Sequence, residues 1–151
     1  MEYRRLGKSG LQVSSLSFGS WVTFSNQLDL KNSEECMHMA YNAGVNFFDN
    51  AEAYANGQSE VIMGDVLRKS GWGRDTFIVS SKVFWGGKLP TQRGLSRKHV
   101  VDACHAALKR LQVDYLDLYF TCKFHFRFLW RYPLRNFEFH RCSQLCVRDF
   151  P

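Results

Sequence analysis

Apolar residues in the first 120 positions follow two alternating patterns. Four short apolar runs have the length of buried strands, at residues 16–20, 45–48, 77–81 and 115–120. Between these runs, apolar residues recur at the three- and four-residue spacing of helices, in residues 36–43, 62–67 and 100–111. Strands that alternate with helices join into a parallel sheet through right-handed crossovers, so the pattern predicts the order β-α-β-α-β-α-β. The segment Gly7–Gly10 has the composition of a turn, and it predicts a β-hairpin before the first of these strands.

The ends of the three helices are also marked in the sequence. The predicted N-terminal caps are Asn32 or Ser33, Ser59 and Ser96. Gly44 and Gly71 are predicted to end the first and second helices. The buried face of the first helix is predicted to carry Cys36, Met39, Ala40 and Ala43. The segment Ser96–His99 is interpreted as a capped first helical turn rather than a ligand site.

The spacing of these units indicates the size of the whole fold. Each strand and its following helix has about the length of one module of an eight-stranded barrel, which needs roughly 250 residues. The predicted fold class is therefore α/β: the N-terminal half of a (β/α)8 barrel, preceded by a β-hairpin. Such a half would leave its first and fourth strands as open edges. We therefore expect self-association or poor order in the isolated chain.

The character of the chain changes after Phe120. Residues 121–151 contain six Phe, one Trp and one Tyr but neither Gly nor Ala, and they show no helical stripe or cap. One interpretation is translation in the wrong frame or of an unspliced segment. The other is a genuine arm that packs its aromatic side chains over an exposed sheet edge. The chain is thus divided into a domain at 1–120 and an irregular tail at 121–151.

Composition and charge exclude several classes of protein. With 45% apolar and 23% charged residues, the chain is typical of a globular domain. The tail supplies +4 of the net charge of +6, so we do not predict a nucleic-acid binder. No apolar run could span a bilayer, and residues 1–10 lack a signal-peptide core, so a cytoplasmic protein is expected. The five cysteines are odd in number and irregularly spaced, so we do not predict a disulfide framework. The spacing of His140 and the cysteines near it matches no common zinc site.

The candidate chemistry lies in the segment VNFFDNAEAY, residues 45–54. Asp49 follows a predicted strand, Tyr54 comes five residues later, and Lys82 ends the next strand. The carboxyl ends of neighbouring parallel strands meet at one rim of a sheet. A phenol is a poor acid at neutral pH, and an adjacent ammonium makes it a better one by stabilising the phenolate. An aspartate after a strand is often only a turn residue, so the combination with Lys82 is what points to proton transfer.

Five stretches carry a resemblance to a known family. They are YRRLGKSGLQVSSLSFGSWVTF, GVNFFDNAEAYANGQSE, SSKVFWGG, GLSRKH and LKRLQVDYLDLYF. In this order and spacing they closely resemble the aldo-keto reductase family. Within that family they look most like the branch that contains the β subunits of voltage-gated potassium channels. The resemblance covers about residues 1–120 and none of the tail.

The resemblance implies three members of a four-residue active site. Asp49 and Lys82 match the family's Asp and Lys, and Tyr54 matches the Tyr that donates a proton to the carbonyl oxygen. The family's fourth member, usually a His, should lie within two residues of Phe120. Thr121 and Cys122 occupy those positions, and the role is not transferred to them.

The resemblance also implies a cofactor and a reaction. Ser20, Trp21 and Gln27 match positions near the cofactor, with Asp49 in the same neighbourhood. The implied function is NADPH-dependent reduction of aldehydes or ketones, with a small carbonyl compound as substrate. The family's contacts to the adenosine phosphate and pyrophosphate lie in later strands, so NADPH binding by this chain is expected to be weak or absent. The alternatives are a regulatory subunit that binds a potassium channel and a truncated product with neither activity.

The aromatic residues near the predicted rim have two interpretations. Trp21, Phe84 and Trp85 either line a pocket for substrate or nicotinamide, or pack against the sheet as ordinary aromatic side chains. The sequence favours neither interpretation.

Overall fold

The structure is a computed structural model that describes residues 1–21 and 30–122, together with the backbone of Gln144–Leu145. Its strands are β1 (Tyr3–Arg5), β2 (Gln12–Ser14), β3 (Phe18–Gly19), β4 (Phe47–Asp49), β5 (Ile78–Val83), β6 (Leu118–Thr121) and β7 (Gln144–Leu145). Its α-helices are α1 (Leu30–Asn42), α2 (Gln58–Ser70) and α3 (Arg97–Leu111). Single 3-10 turns lie at Tyr54–Gly57, Arg74–Thr76 and Pro90–Gln92.

The main sheet has the predicted parallel arrangement. Strands β3, β4, β5 and β6 are neighbours in that order and all run parallel, whereas β1 and β2 form the predicted antiparallel hairpin. Asp49 of β4 pairs with Gly19 on one side and with Ser80 on the other. Lys82 of β5 pairs with Phe120 of β6. This register brings the carboxyl ends of the strands to one rim.

The fourth parallel strand, β6, is expected from the sequence to be an open edge of the sheet. This expectation is wrong at two positions of β6. Strand β7 pairs antiparallel with β6, and it places Leu145 opposite Tyr119 and Gln144 opposite Phe120. At these two positions the edge of β6, which the sequence predicts to be open, is paired with another strand. Strand β3 lies at the opposite end of the sheet, and self-association through that edge stays a prediction.

Helix α1 differs from its prediction in both start and phase. It begins at Leu30, so Asn32 and Ser33 lie inside the helix rather than at its cap. Met37 and Ser33 are fully buried, whereas 66% of Met39 is exposed. The packing of Met37 into the core, against α2 and the sheet, decides which face of the helix is buried. The apolar residues of this helix are spread almost evenly around it, so the sequence alone did not identify that face. Gly44, with φ of +91°, follows the helix as predicted.

Helices α2 and α3 agree more closely with the sequence. The predicted face of α2 is buried. Ser59 lies inside α2 and is buried, so it is not the predicted cap. Ser96 does cap α3, because its Oγ accepts a hydrogen bond of 3.2 Å from the backbone N–H of His99. No helix of residues 1–21 and 30–122 is both long and apolar enough to cross a membrane.

The core lies between the sheet and the three helices. Its aromatic part centres on Trp72, which stacks on Tyr41 with ring centroids 3.9 Å apart and on Phe48 at 5.5 Å. Phe77 meets both Phe48 and Trp72 edge to face. Because Phe48 is on β4 and Phe77 immediately precedes β5, this cluster holds the strands that lead to Asp49 and Lys82 in a fixed position.

Helices α2 and α3 approach each other closely at Gly64. A Cβ atom at this position would lie 2.3 Å from the backbone oxygen of Arg110 and 2.8 Å from Cα of Leu111. Both neighbours are backbone atoms, which cannot rotate away. Glycine is therefore required by the packing of the two helices.

We expect Gly64→Ala to lower the free energy of unfolding by about 1–3 kcal/mol, the usual cost of overpacking a close contact. Denaturant unfolding of the 151-residue chain measures this change. Gly19→Ala is the matched control, because a Cβ there meets no atom of the described residues within 4 Å. Equal stability of the Gly64 variant and the parent chain would contradict the close approach of α2 and α3.

Candidate active site

The ammonium group of Lys82 joins the residues at the rim of the sheet. Its Nζ donates to Oδ2 of Asp49 at 2.5 Å, to the backbone oxygen of Asn50 at 2.8 Å and to the phenolic oxygen of Tyr54 at 3.1 Å. An ammonium has three N–H groups, and each of them has a partner here. The structure therefore brings together Asp49, Tyr54 and Lys82, the three residues that the sequence singles out.

Asp49 is held by contacts to both of its carboxylate oxygens. Oδ1 accepts a hydrogen bond of 2.7 Å from the Ser80 hydroxyl, while Oδ2 accepts from Lys82. Ser80 and Lys82 are two residues apart on β5, so their side chains point to the same face of the sheet. The side chains of Asp49 and Lys82 are 24% and 22% exposed, which places the ion pair at the boundary between the core and solvent.

Tyr54 stands at the start of the turn that links β4 to α2. This turn is tight, because Ala55 and Asn56 both adopt positive φ, at 49° and 54°. The Tyr54 ring stacks on the indole of Trp21, with centroids 5.9 Å apart and planes 19° apart. Because the phenolic oxygen accepts from Lys82, the hydroxyl hydrogen is left to donate to another group.

A pocket opens beside Tyr54 and Lys82. Its walls are mainly apolar and come from the loops that follow β4 and β5 and from the end of β6. The lining residues are Ala51, Glu52, Ala53, Tyr54, Lys82, Val83, Phe84, Trp85 and Cys122. Phe84 and Trp85 thus line a pocket, and they also pack edge to face against each other at 4.6 Å.

The residues predicted near a cofactor divide into three cases. Ser20 is fully buried, and its hydroxyl donates to the backbone oxygen of Asp49 at 3.0 Å, so it joins β3 to β4. Trp21 is 68% exposed and offers a flat apolar surface beside Tyr54. Gln27 lies outside the described residues. The Ser20 hydroxyl is therefore already engaged, whereas the Trp21 indole stays exposed beside the phenol.

Thr121 and Cys122 occupy the positions where the resemblance places the fourth active-site residue, usually a histidine. Cys122 lines the same pocket as Tyr54 and Lys82. The Thr121 hydroxyl is buried and has no hydrogen-bond partner among the described residues. Neither side chain is the imidazole that the family pattern usually has there.

A buried carboxylate supports the strand that carries Lys82. Glu60 of α2 is fully buried and accepts hydrogen bonds of 2.6 Å each from the Ser81 hydroxyl and from Nε of Arg110 on α3. Burial raises the pKa of Glu60, although the positive charge of Arg110 acts in the opposite direction. Ser81 directly precedes Lys82, so this cluster anchors β5 to two helices.

The sequence interpretation missed several residues of the site. Ser80 was detectable in principle, because it is two residues before Lys82 and so lies on the same face of β5. Asn50 contributes through its backbone oxygen, which no side-chain pattern reports. Glu52 and His99 come within 3.3 Å of each other beside the pocket, although 47 residues separate them in the chain.

Comparison with known proteins identifies the family. The family model described as "Aldo/keto reductase family" matches residues 15–127. A protein of Arabidopsis thaliana named "Probable voltage-gated potassium channel subunit beta" is 56% identical over 118 residues. A protein of the same name from Oryza sativa subsp. japonica is 55% identical over 118 residues. Each match covers 78% of this chain and 36% of the relative, so the chain spans about a third of the length of these relatives.

These matches confirm the resemblance and the fold class predicted from the sequence. The family has the (β/α)8 barrel fold. The parallel strands β3 to β6, with their intervening helices, correspond to part of such a barrel.

The raised pKa of Glu60 makes the stability of the fold depend on pH. The folded chain binds a proton at Glu60 more tightly than the unfolded chain does. This contribution to stability is fully present below the ordinary pKa near 4.5 and is lost as pH rises through the higher pKa of the fold. Glu60→Gln removes the contribution, so the stability of the parent chain relative to the variant should fall as pH rises above about 4.5.

Denaturant unfolding of both chains over a pH series measures this difference. Glu35→Gln, at an exposed position of α1, is the matched control and should follow the parent chain at every pH. If the difference between the parent chain and Glu60→Gln does not change with pH, the raised pKa of Glu60 is contradicted.

Proposed function

This chain belongs to the aldo/keto reductase family, and we propose that its Asp49–Tyr54–Lys82 site reduces the carbonyl group of an aldehyde or ketone to an alcohol. The single observation that carries the proposal is the hydrogen bond of 3.1 Å from Lys82 Nζ to the phenolic oxygen of Tyr54. It makes the tyrosine a directed proton donor at the edge of an apolar-walled pocket.

The proton step follows from the direction of that hydrogen bond. Tyr54 donates its hydroxyl proton to the carbonyl oxygen of the substrate, because its own oxygen is occupied by the Lys82 N–H. The phenolate that remains lies against the ammonium of Lys82, which stabilises its negative charge. NADPH, when bound, supplies the hydride that reaches the carbonyl carbon.

Asp49 positions the lysine in this proposal. Its Oδ2 accepts one N–H of Lys82, and Ser80 holds the other carboxylate oxygen. The backbone oxygen of Asn50 accepts a second N–H, so the third is directed towards Tyr54. A lysine without this anchor would sample several rotamers and stabilise the phenolate only part of the time.

The cofactor in this proposal binds beside Tyr54. Trp21 would hold the nicotinamide through its exposed indole, with Ser20 and Asp49 in the same neighbourhood. An apolar surface at this place also excludes water from the reacting carbonyl. A reductase that draws on the NADPH pool fits the cytoplasmic location expected from the sequence.

We expect Tyr54→Phe to lower carbonyl reduction by about 100-fold or more, since it removes the proton donor and keeps the ring. The assay uses the 151-residue chain with an aromatic aldehyde at millimolar NADPH, and chromatography quantifies the alcohol. The high cofactor concentration is chosen because the sequence implies that NADPH binding by this chain is weak or absent.

Tyr115→Phe is the matched control for this experiment. Tyr115 is a partly exposed tyrosine whose ring lies beside Arg74, away from the pocket. This variant should keep the parent rate. A Tyr54→Phe variant that also keeps the parent rate would show that another group donates the proton.

The names of the relatives favour a second candidate function. Both are named as probable β subunits of a voltage-gated potassium channel, so we also propose that the whole protein binds such a channel in its cytoplasmic part. Saturable binding to the channel's cytoplasmic domain without carbonyl turnover would favour this role over the reductase. Carbonyl turnover that depends on Tyr54, without channel binding, would favour the reductase.

A further inference from the structure

Glu52 connects the two loops that form the pocket. It lies between Asp49 and Tyr54, and its side chain is only 7% exposed. Oε1 accepts a hydrogen bond of 2.7 Å from the backbone N–H of Phe84, in the loop after β5. Its own backbone N–H donates to the backbone oxygen of Lys82 at 3.2 Å. Glu52 thus contacts the first residue of the second loop through its side chain and the end of β5 through its backbone.

The second carboxylate oxygen of Glu52 faces a buried histidine. Oε2 lies 3.3 Å from Nε2 of His99, whose side chain is 5% exposed in the first turn of α3. Nδ1 of His99 lies 2.7 Å from the backbone oxygen of Gly94. That carbonyl can only accept, so Nδ1 is the nitrogen that carries a hydrogen towards it, and Nε2 is left facing Oε2 of Glu52.

The loop after β5 is packed tightly around this pair. A Cβ atom at Gly86 would lie 2.8 Å from Nε2 of His99 and 2.9 Å from Oε2 of Glu52. The backbone N–H of Gly94 donates to the oxygen of Phe84 at 2.9 Å. The pair therefore ties together the segment between Asp49 and Tyr54, the loop that begins at Phe84, and the start of α3.

We propose that Glu52 and His99 form a positioning clamp for the pocket. The clamp fixes the loop that carries Phe84 and Trp85, which form one wall, against the segment that delivers Tyr54. Its importance for catalysis rests on the proposed reductase function. The clamp itself requires neither cofactor nor turnover, so it can be tested separately.

The test uses the thiol of Cys122, which lines the same pocket. The 151-residue chain is treated with iodoacetamide, and peptide mass spectrometry gives the labelling rate of each cysteine. Cys36 on α1 is the partly exposed reference, and buried Cys104 reports opening of the core. If only the pocket wall becomes mobile, the labelling rate of Cys122 rises and that of Cys104 does not. If the whole fold opens more often, the labelling rate of Cys104 rises as well.

Glu52→Met and Glu52→Gln form the matched pair of variants. Methionine has a similar length but cannot bond to Phe84 or His99, so the labelling rate of Cys122 should rise about tenfold, the factor for one lost buried hydrogen bond. Glutamine also removes the charge, but its oxygen can accept from Phe84 and its amide can donate to Nε2 of His99. The Glu52→Gln chain should therefore label Cys122 within about twofold of the parent chain, well below the tenfold rise from a lost hydrogen bond.

Three results would overturn the proposal. The first is an unchanged rate at Cys122 in Glu52→Met. The second is a parallel rise at Cys36, Cys104 and Cys122, which indicates a purely structural role. The third is an equal rise in the methionine and glutamine variants, which indicates an effect of charge alone.

Gly86→Ala supplies a second variant if Glu52→Met does not fold. Its added methyl group would clash with the backbone oxygen of Gln92 as well as with the side chains of His99 and Glu52, so the loop must shift away from the pair. It should therefore also raise the labelling of Cys122 and leave Cys104 unchanged. An unchanged rate at Cys122 in this variant overturns the clamp as well.

Discussion

The ammonium of Lys82 is the group on which the candidate site depends. A charge on a side chain that is only 22% exposed is costly unless each of its hydrogen bonds is made. Asp49, the Asn50 carbonyl and Tyr54 meet this requirement together. The same three contacts that stabilise the charge also direct it at the phenol, so the stability of the rim and its proposed chemistry arise from one arrangement.

The rest of the fold keeps these groups in register. Parallel pairing places Asp49 beside Ser80 and brings the end of β5 next to the end of β4. On the helix side of the sheet, Glu60 connects Ser81 to α2 and α3. On the pocket side, Glu52 connects the loops that follow the two strands. Lys82 therefore lies between two buried acidic side chains that fix its strand and its loop. Among the acidic residues that the structure describes, only Asp49 pairs with its charge.

Much of this arrangement could be predicted from the sequence, and the exceptions have physical reasons. Alternating runs of strand and helix residues predicted the parallel sheet, and the ends of its strands predicted the meeting of Asp49 and Lys82. The phase of α1 was wrong because Met37 and Met39 are equally apolar, and only packing decides between them. The pairing of Glu52 with His99 depends on how α3 folds back against the first loops, which no local pattern records.

A double-mutant cycle on Asp49 and Lys82 tests the central role of the ammonium most directly. The free energy of unfolding is measured for the parent chain, Asp49→Asn, Lys82→Met and the double variant. We predict that the double variant is more stable than the sum of the two single effects implies, with a coupling energy of about 1–3 kcal/mol, because each single change leaves one group of the pair without its partner. Additivity within about 0.5 kcal/mol would contradict the account, since it would mean that the two residues do not act on each other in solution.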